Sequence, residues 1–163
     1  MPARFANLVR TGAVMAVLLG SGAAVAAPDW DRVANIKGAA AQIGDIQARE
    51  GADRAFKFIA ACYRTHGLAS KYSKAFEGCI AQDYMQSRAL ALVYERVEPE
   101  QLRRIGAPSA ADVMSTLKNR LGAAFGKYAI PSAEGQDFLR LVETHGMPVF
   151  VKAVFKKANA PLP

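Results

Sequence analysis

Residues 53–85 read DRAFKFIAACYRTHGLASKYSKAFEGCIAQDYM. Ala55, Phe56, Ile59, Cys62, Tyr63 and His66 recur at three- and four-residue steps, which is one face of a helix. Gly67 then offers a stop, because glycine accepts the left-handed conformation at a helix end with little cost. Ser70 or Ser73 can cap the helix that follows, where Tyr72, Phe76, Cys79, Ile80 and Asp83 keep the same spacing. Two helices joined by so short a turn lie antiparallel. That sets Cys62, near the end of one, beside Cys79 in the other, and a disulfide between them is predicted. Closing a loop of this length contributes about 3 kcal/mol in the chain-entropy model, a useful share for a small core.

The pattern extends both ways from this hairpin. Upstream, Asp29 or Asp31 can cap a helix bearing Trp30, Val33, Ile36, Ala40, Ile43 and Ile46 on one face. Gly51 interrupts it and Asp53 can cap a restart. Downstream, Leu90, Val93, Tyr94 and Val97 prolong the second hairpin helix until Pro99, which suits the first turn of a short helix over 100–105. Gly106-Ala107-Pro108 is a break, and Ser109 caps a helix bearing Val113, Leu117, Leu121 and Phe125. After Ile130-Pro131-Ser132, Phe138, Leu139 and Val142 mark a helix predicted to end near Gly146. Pro148 opens a last one with Val149, Phe150, Val154 and Phe155. No stretch alternates polar and apolar residues between turn signals, so no sheet is expected. The reading is all-α: a small antiparallel helical bundle or an orthogonal helical array of about five to seven helices, with one disulfide.

The chain has 163 residues, a one-domain length. Its uninterrupted apolar stretch lies at the N-terminus. Arg4 and Arg10 form a positive start, Thr11 to Val25 is uncharged, and Ala24-Val25-Ala26 is an A-x-A cleavage site. The apolar heart is short for a membrane span of about 20 residues. A signal peptide over 1–26 and a single helical domain over 27–163 are therefore expected, with a periplasmic or secreted destination. Two cysteines in the mature region agree with an oxidising compartment.

Cleavage removes Arg4 and Arg10, so the 21 basic residues become 19 against 14 acids, and the mature chain carries about +5. Outside the cytoplasm the polyanions to hand are lipid headgroups and envelope polymers, and nucleic acid is not an expected partner. The last helix sets Lys152, Lys156 and Lys157 beside an apolar face. It can lie peripherally on an anionic membrane, or close the core with its lysines in water. Apolar helix faces can pair within one chain or between chains, so the pattern leaves the oligomeric state open.

The densest chemistry lies in the hairpin: Tyr63, Arg64, His66, Lys71, Tyr72, Lys74, Glu77, Asp83 and Tyr84. These residues can line a polar groove beside the disulfide, able to hold an anion or a carbohydrate. They equally suit the solvated and half-buried faces of a helical hairpin. His66 and His145 are the two histidines. Each precedes a glycine at a predicted helix end, where a cation meets the negative end of the helix dipole, and each can act as a base near neutral pH. His145 and Met147, with Met85 or Met114, offer imidazole and thioether ligands of the kind copper takes, or axial haem ligands. The spacing matches no established ligand pattern, and no cofactor is predicted. Glu77 and Asp83 are the acids that a hydrolase built on this hairpin would use. No Gly-x-Ser-x-Gly, His-Glu-x-x-His, phosphate-loop or dinucleotide motif occurs, and no residue is assigned a catalytic role. The expected function is non-enzymatic binding of an anionic envelope component or a partner protein. An envelope hydrolase using a carboxylate from Cys62–Met85 and a periplasmic metal or haem carrier are the alternatives.

Overall fold

The computed structural model describes residues 28–158. The segment 1–27, on which the signal-peptide reading falls, and residues 159–163 lie outside the described residues. Six α-helices follow in order: α1 (Arg32–His66), α2 (Lys74–Tyr94), α3 (Pro99–Arg104), α4 (Ala110–Lys127), α5 (Ser132–Leu141) and α6 (Met147–Ala158). A π-helical turn, Val142–Gly146, joins α5 to α6. No strand occurs among the described residues, and Cys62 is bonded to Cys79 across a Cα separation of 5.7 Å.

Local chemistry sets the boundaries. Asp31 caps α1 by accepting the Ala34 N–H at 2.9 Å, and Ser73 caps α2 by accepting the Phe76 N–H at 3.2 Å. Ser109 and Asp112 form a reciprocal capping box on α4. Gly51 sits inside α1 with φ 84° and ψ 176°, a conformation open only to glycine at low cost. It divides α1 into two arms, residues 32–50 and 52–66.

The contacts of the arms with α2 reveal a reversal at Gly51. Along the first arm, Asn35, Gln42 and Gln47 bond in turn to Glu77, Gln82 and Gln86. The numbers rise together, so this arm runs parallel to α2. Along the second arm, Phe56 lies near Ser87, Cys62 is bonded to Cys79, and Gly67 abuts Phe76. Those numbers run in opposition, so this arm is antiparallel. α4 is antiparallel too, with Arg120 on Asp83 and Tyr128, just past its end, on Phe76. The continuous rod 132–158 lies along the first arm, with Gly146 against Ile36 and Phe150 against Gly44.

α2 is thus the axis of the array. Phe76, Cys79, Ile80, Ala81, Met85 and Ala91 are buried along it, and the surrounding helices supply Ile36, Ile43, Ile59, Leu117, Phe138 and Phe150. Among the described residues no helix is long and apolar enough to cross a membrane.

Four local expectations are corrected. Gly67 is right-handed, with φ −73° and ψ −9°, and its N–H donates to the Tyr63 carbonyl. Glycine is needed there for space, since a Cβ would stand 2.4 Å from that oxygen. α2 stops at Tyr94 rather than Val97, because turns at Arg96 and Val97 lead to Glu98, which as the residue before a proline disfavours helix. Gly146 does not end a helix. It is buried inside the rod, where a Cβ would come within 2.9 Å of Ile36 Cγ2 and Met85 Sδ. The break predicted before Pro148 is replaced by the π turn, in which the Met147 N–H donates to the Val142 carbonyl. His145 accordingly sits within the rod and not at a helix end.

Two glycines in these helices carry opposite expectations. A Cβ on Gly44 would lie 2.7 Å from Ala153 Cβ and 2.9 Å from the Phe150 carbonyl oxygen. Gly44→Ala is expected to destabilise the fold by about 1–3 kcal/mol in urea unfolding, the usual cost of overpacking. A Cβ on Gly122 meets nothing within 4 Å, and Gly122→Ala is expected to add about 0.5–1 kcal/mol through helix propensity.

Candidate functional site

A helix buried along most of its length must place its inward polar side chains against partners. α2 carries Glu77, Gln82, Asp83, Gln86 and Ser87, all essentially inaccessible to solvent. Glu77 accepts from Trp30 Nε1 at 2.8 Å, Arg32 Nε at 2.9 Å and Asn35 Nδ2 at 3.2 Å. Arg32 also donates to Glu134 at 2.9 Å and lies over the Phe138 ring. One and a half turns on, Asp83 accepts from both Nε and Nη2 of Arg120, at 2.8 and 2.6 Å. The Tyr63 hydroxyl and Ser87 Oγ complete its shell at 3.2 and 3.1 Å. Asp83's hydrogen bonds raise the Arg120 pKa, against a smaller opposing effect of burial.

The predicted hairpin residues therefore divide into four groups. Tyr63, Tyr72, Glu77 and Asp83 turn inward, and the two acids have no surface at which a substrate could meet them. Tyr84 lies apart, donating to Glu143 Oε1 at 2.6 Å. Arg64 and Lys71 are exposed. His66 and Lys74 line a polar cleft with Cys62, between both arms of α1 and the start of α2. The metal reading finds Met85 in the core, with Met114 and Met147 packed against it. Among the described residues no group of three or more His, Cys, Asp and Glu side chains is placed to hold a metal ion.

A second surface feature escapes the periodicity reading. Leu92, Val93, Val151 and Phe155 are exposed, and all four line one groove between the C-terminal part of α2 and α6. Its volume is about 570 Å³, within the range of small-molecule sites. Met147, Phe150 and Val154 form more of its wall, the Gln47–Gln86 amide pair lies within it, and Arg96 is its charged member. Val93, expected on the core face, is 57 % exposed. The sequence signal was the run Ala89-Leu90-Ala91-Leu92-Val93, which is apolar around the whole helix and exceeds what one core face needs. Arg96, Lys152 and Lys156 have no acidic partner among the described residues.

No family model matches the chain, and no significant match is found among curated proteins or solved structures.

Removing one partner of a buried ion pair leaves a charge without compensation. Arg120→Ala is expected to cost about 3–5 kcal/mol, because it strands the Asp83 carboxylate with no exposure. Asp83→Ala is expected to cost less, because the arginine it leaves behind is 39 % exposed and can hydrate. The double variant is expected to be more stable than the sum of the two losses, as a double-mutant cycle in denaturant reads directly.

The tyrosines make stability sensitive to alkali. Burial and then hydrogen bonding to Glu143 push Tyr84 from its usual 10.0 up to about 12. Burial and the charge of Asp83 raise Tyr63, and burial and the charge of Glu77 raise Tyr72. A phenol that resists ionisation in the folded state contributes stability that is complete below its unfolded value and lost as pH climbs through its folded value. The unfolding free energy is expected to hold up to about pH 10 and to fall steadily toward pH 12. Tyr84→Phe should flatten the slope between those limits.

Proposed function

We propose that this chain is an exported, non-enzymatic binding protein that holds the apolar chain of an anionic amphiphile in the groove between α2 and α6. The observation that carries the reading is the convergence of Leu92, Val93, Val151 and Phe155 on one groove. Scattered exposed apolar residues are ordinary on a protein surface, whereas a contiguous apolar cavity is a binding feature. The only large hydrophobics exposed elsewhere among the described residues are Leu68 and Ile105.

Charge selects the kind of ligand. Arg96 lies in the groove with no carboxylate partner among the described residues, and Lys152 and Lys156 stand on α6 next to the wall residues Val151 and Phe155. An alkyl chain fits the wall, and an anionic head group fits these cations. A fatty acid or an anionic envelope lipid has both parts. The same cations can bring α6 to an anionic membrane surface, from which such a ligand is drawn. Export is supported by the N-terminal segment 1–26 and by a disulfide suited to an oxidising compartment. Binding is favoured over hydrolysis because Glu77 and Asp83, the acids of the hairpin, are each neutralised by an arginine in the interior.

Titration with a fluorescent fatty acid, followed by displacement with dodecanoate or dodecanol, tests the reading. Saturable binding is expected, stronger for dodecanoate and weakened by salt. Arg96→Glu should remove the preference for the charged ligand, and Val93→Asp should abolish binding of both. A folded protein that binds neither would overturn the proposal. Export is checked by the mass of the protein recovered from the periplasm of a bacterial host. The mass of a chain starting at Ala27 is expected, and a chain retaining 1–26 would exclude the cleavable signal.

A further inference from the structure

The polar cleft lies toward the opposite end of α2 from the groove. Its floor holds Gly38 from the first arm of α1 and Gly78 from α2. Both glycines are helical with negative φ, so neither is needed for backbone conformation. Neither is needed for packing. A Cβ on Gly38 meets nothing within 4 Å, and one on Gly78 makes only ordinary contacts at 3.9 Å. Each glycine costs about 1 kcal/mol of helix stability relative to alanine. What they leave behind is an open cleft of about 440 Å³.

The cleft is chemically defined. Gln82 is 2 % exposed, and its amide reaches the cleft wall, where Nε2 donates to Gln42 Oε1 and to the Ala39 carbonyl. Those two acceptors fix the orientation of the amide and leave Gln82 Oε1 buried with no donor. A buried acceptor without a partner is costly, and a ligand hydroxyl or N–H would satisfy it. His66 and Lys74 line the same cleft with no acidic partner among the described residues. Lys74 and Ala75 also open α2, where first-turn amides lack intrahelical acceptors and the dipole favours an anion. Phe58, half-buried in the wall, presents an apolar surface of the kind that packs on a sugar ring.

We infer that this cleft is a second binding site, separate from the groove, for a small hydroxylated carboxylate of the acidic-sugar class. The carboxylate meets Lys74, His66 and the start of α2. A hydroxyl donates to Gln82 Oε1, and the glycines admit the ring.

The probe is glucuronate, compared with glucose and acetate by calorimetry and ligand-observed NMR on the intact mature chain. Glucuronate is expected to bind saturably, with glucose and acetate each weaker by at least about tenfold, the worth of one charge-assisted or buried hydrogen bond. Gly38→Leu sets a side chain at the cleft where the Cβ meets nothing within 4 Å, and it improves helix propensity. It is expected to abolish glucuronate binding while the melting temperature stays level or rises, and dodecanoate binding at the groove should be unchanged. Lys74→Glu should weaken glucuronate by a similar factor and leave glucose alone. Glucuronate binding no tighter than acetate, or binding that survives Gly38→Leu, would overturn the site. Neither outcome depends on whether the groove binds amphiphiles.

Discussion

The bidentate pair of Arg120 with Asp83 is the interaction on which the array depends. α2 is flanked by both arms of α1, by α4 and by the rod 132–158, so Glu77, Asp83 and Ser87 have no route to water. Asp83 lies at its centre with no exposed surface. An uncompensated carboxylate there would cost several kcal/mol, comparable with a large part of the stability of a domain this size. The guanidinium of Arg120, reaching in from α4, removes that cost only in one register. Its planar fork meets both carboxylate oxygens and Ser87 Oγ together. The pair therefore fixes the height of α4 on α2, a choice that a purely apolar contact would leave looser. Glu77 does the same for the entry of α1 and, through Arg32 and Glu134, for α5.

This arrangement explains what could and could not be read from the sequence. The fold class, the Cys62–Cys79 pairing, the interruption at Gly51 and the Ser73 and Ser109 caps all follow from local rules, because turn and cap chemistry acts over three or four residues. The burial of Glu77 and Asp83 does not follow. Their partners Arg32 and Arg120 lie 45 and 37 positions away, and no periodicity marks such a pairing. The two acids that a hydrolase built on this hairpin would use are instead buried in ion pairs. A glycine preceded by a histidine signals a helix end locally. That holds at Gly67, where α1 stops and the close approach is to the Tyr63 carbonyl one turn back. It fails at Gly146, where the demand is close approach to Ile36 and Met85, far away in the chain.

The surface features divide the same way. His66, Lys74 and Cys62 were legible as one neighbourhood because the hairpin is local. Gly38 and Gln42 complete that neighbourhood only after Gly51 folds the first arm back beside the second. The groove was less legible still. Its walls come from residues 86–97 of the second hairpin helix and its continuation and from 147–155 near the end of the chain, and periodicity assigned Val93 and Phe155 to the core. Each helix does have a core face, shown by buried Ala91 and Phe150. Each is also apolar beyond that face, and it is this excess that forms the groove.

The two ends of α2 differ in how firmly they are held. From the start of α2 to its centre lie the disulfide, the Glu77 and Asp83 ion pairs, and the packed rings of Tyr63, Tyr72, Phe76 and Tyr128. Toward its C-terminus the Gln47–Gln86 amide pair and the half-exposed Arg88–Glu143 ion pair are joined by apolar packing against α6 and by Phe56 beside Ser87. Directional bonds tolerate little displacement, whereas apolar contacts are non-directional and can slide. A cleft built from amides and charges at the firm end suits a ligand recognised by hydrogen-bond geometry. A groove walled by leucine, valine, methionine and phenylalanine suits chains of varying length, since methionine adapts its shape to what it packs against. The distribution of polar and apolar residues along one buried helix thus separates a selective end from an adaptable one.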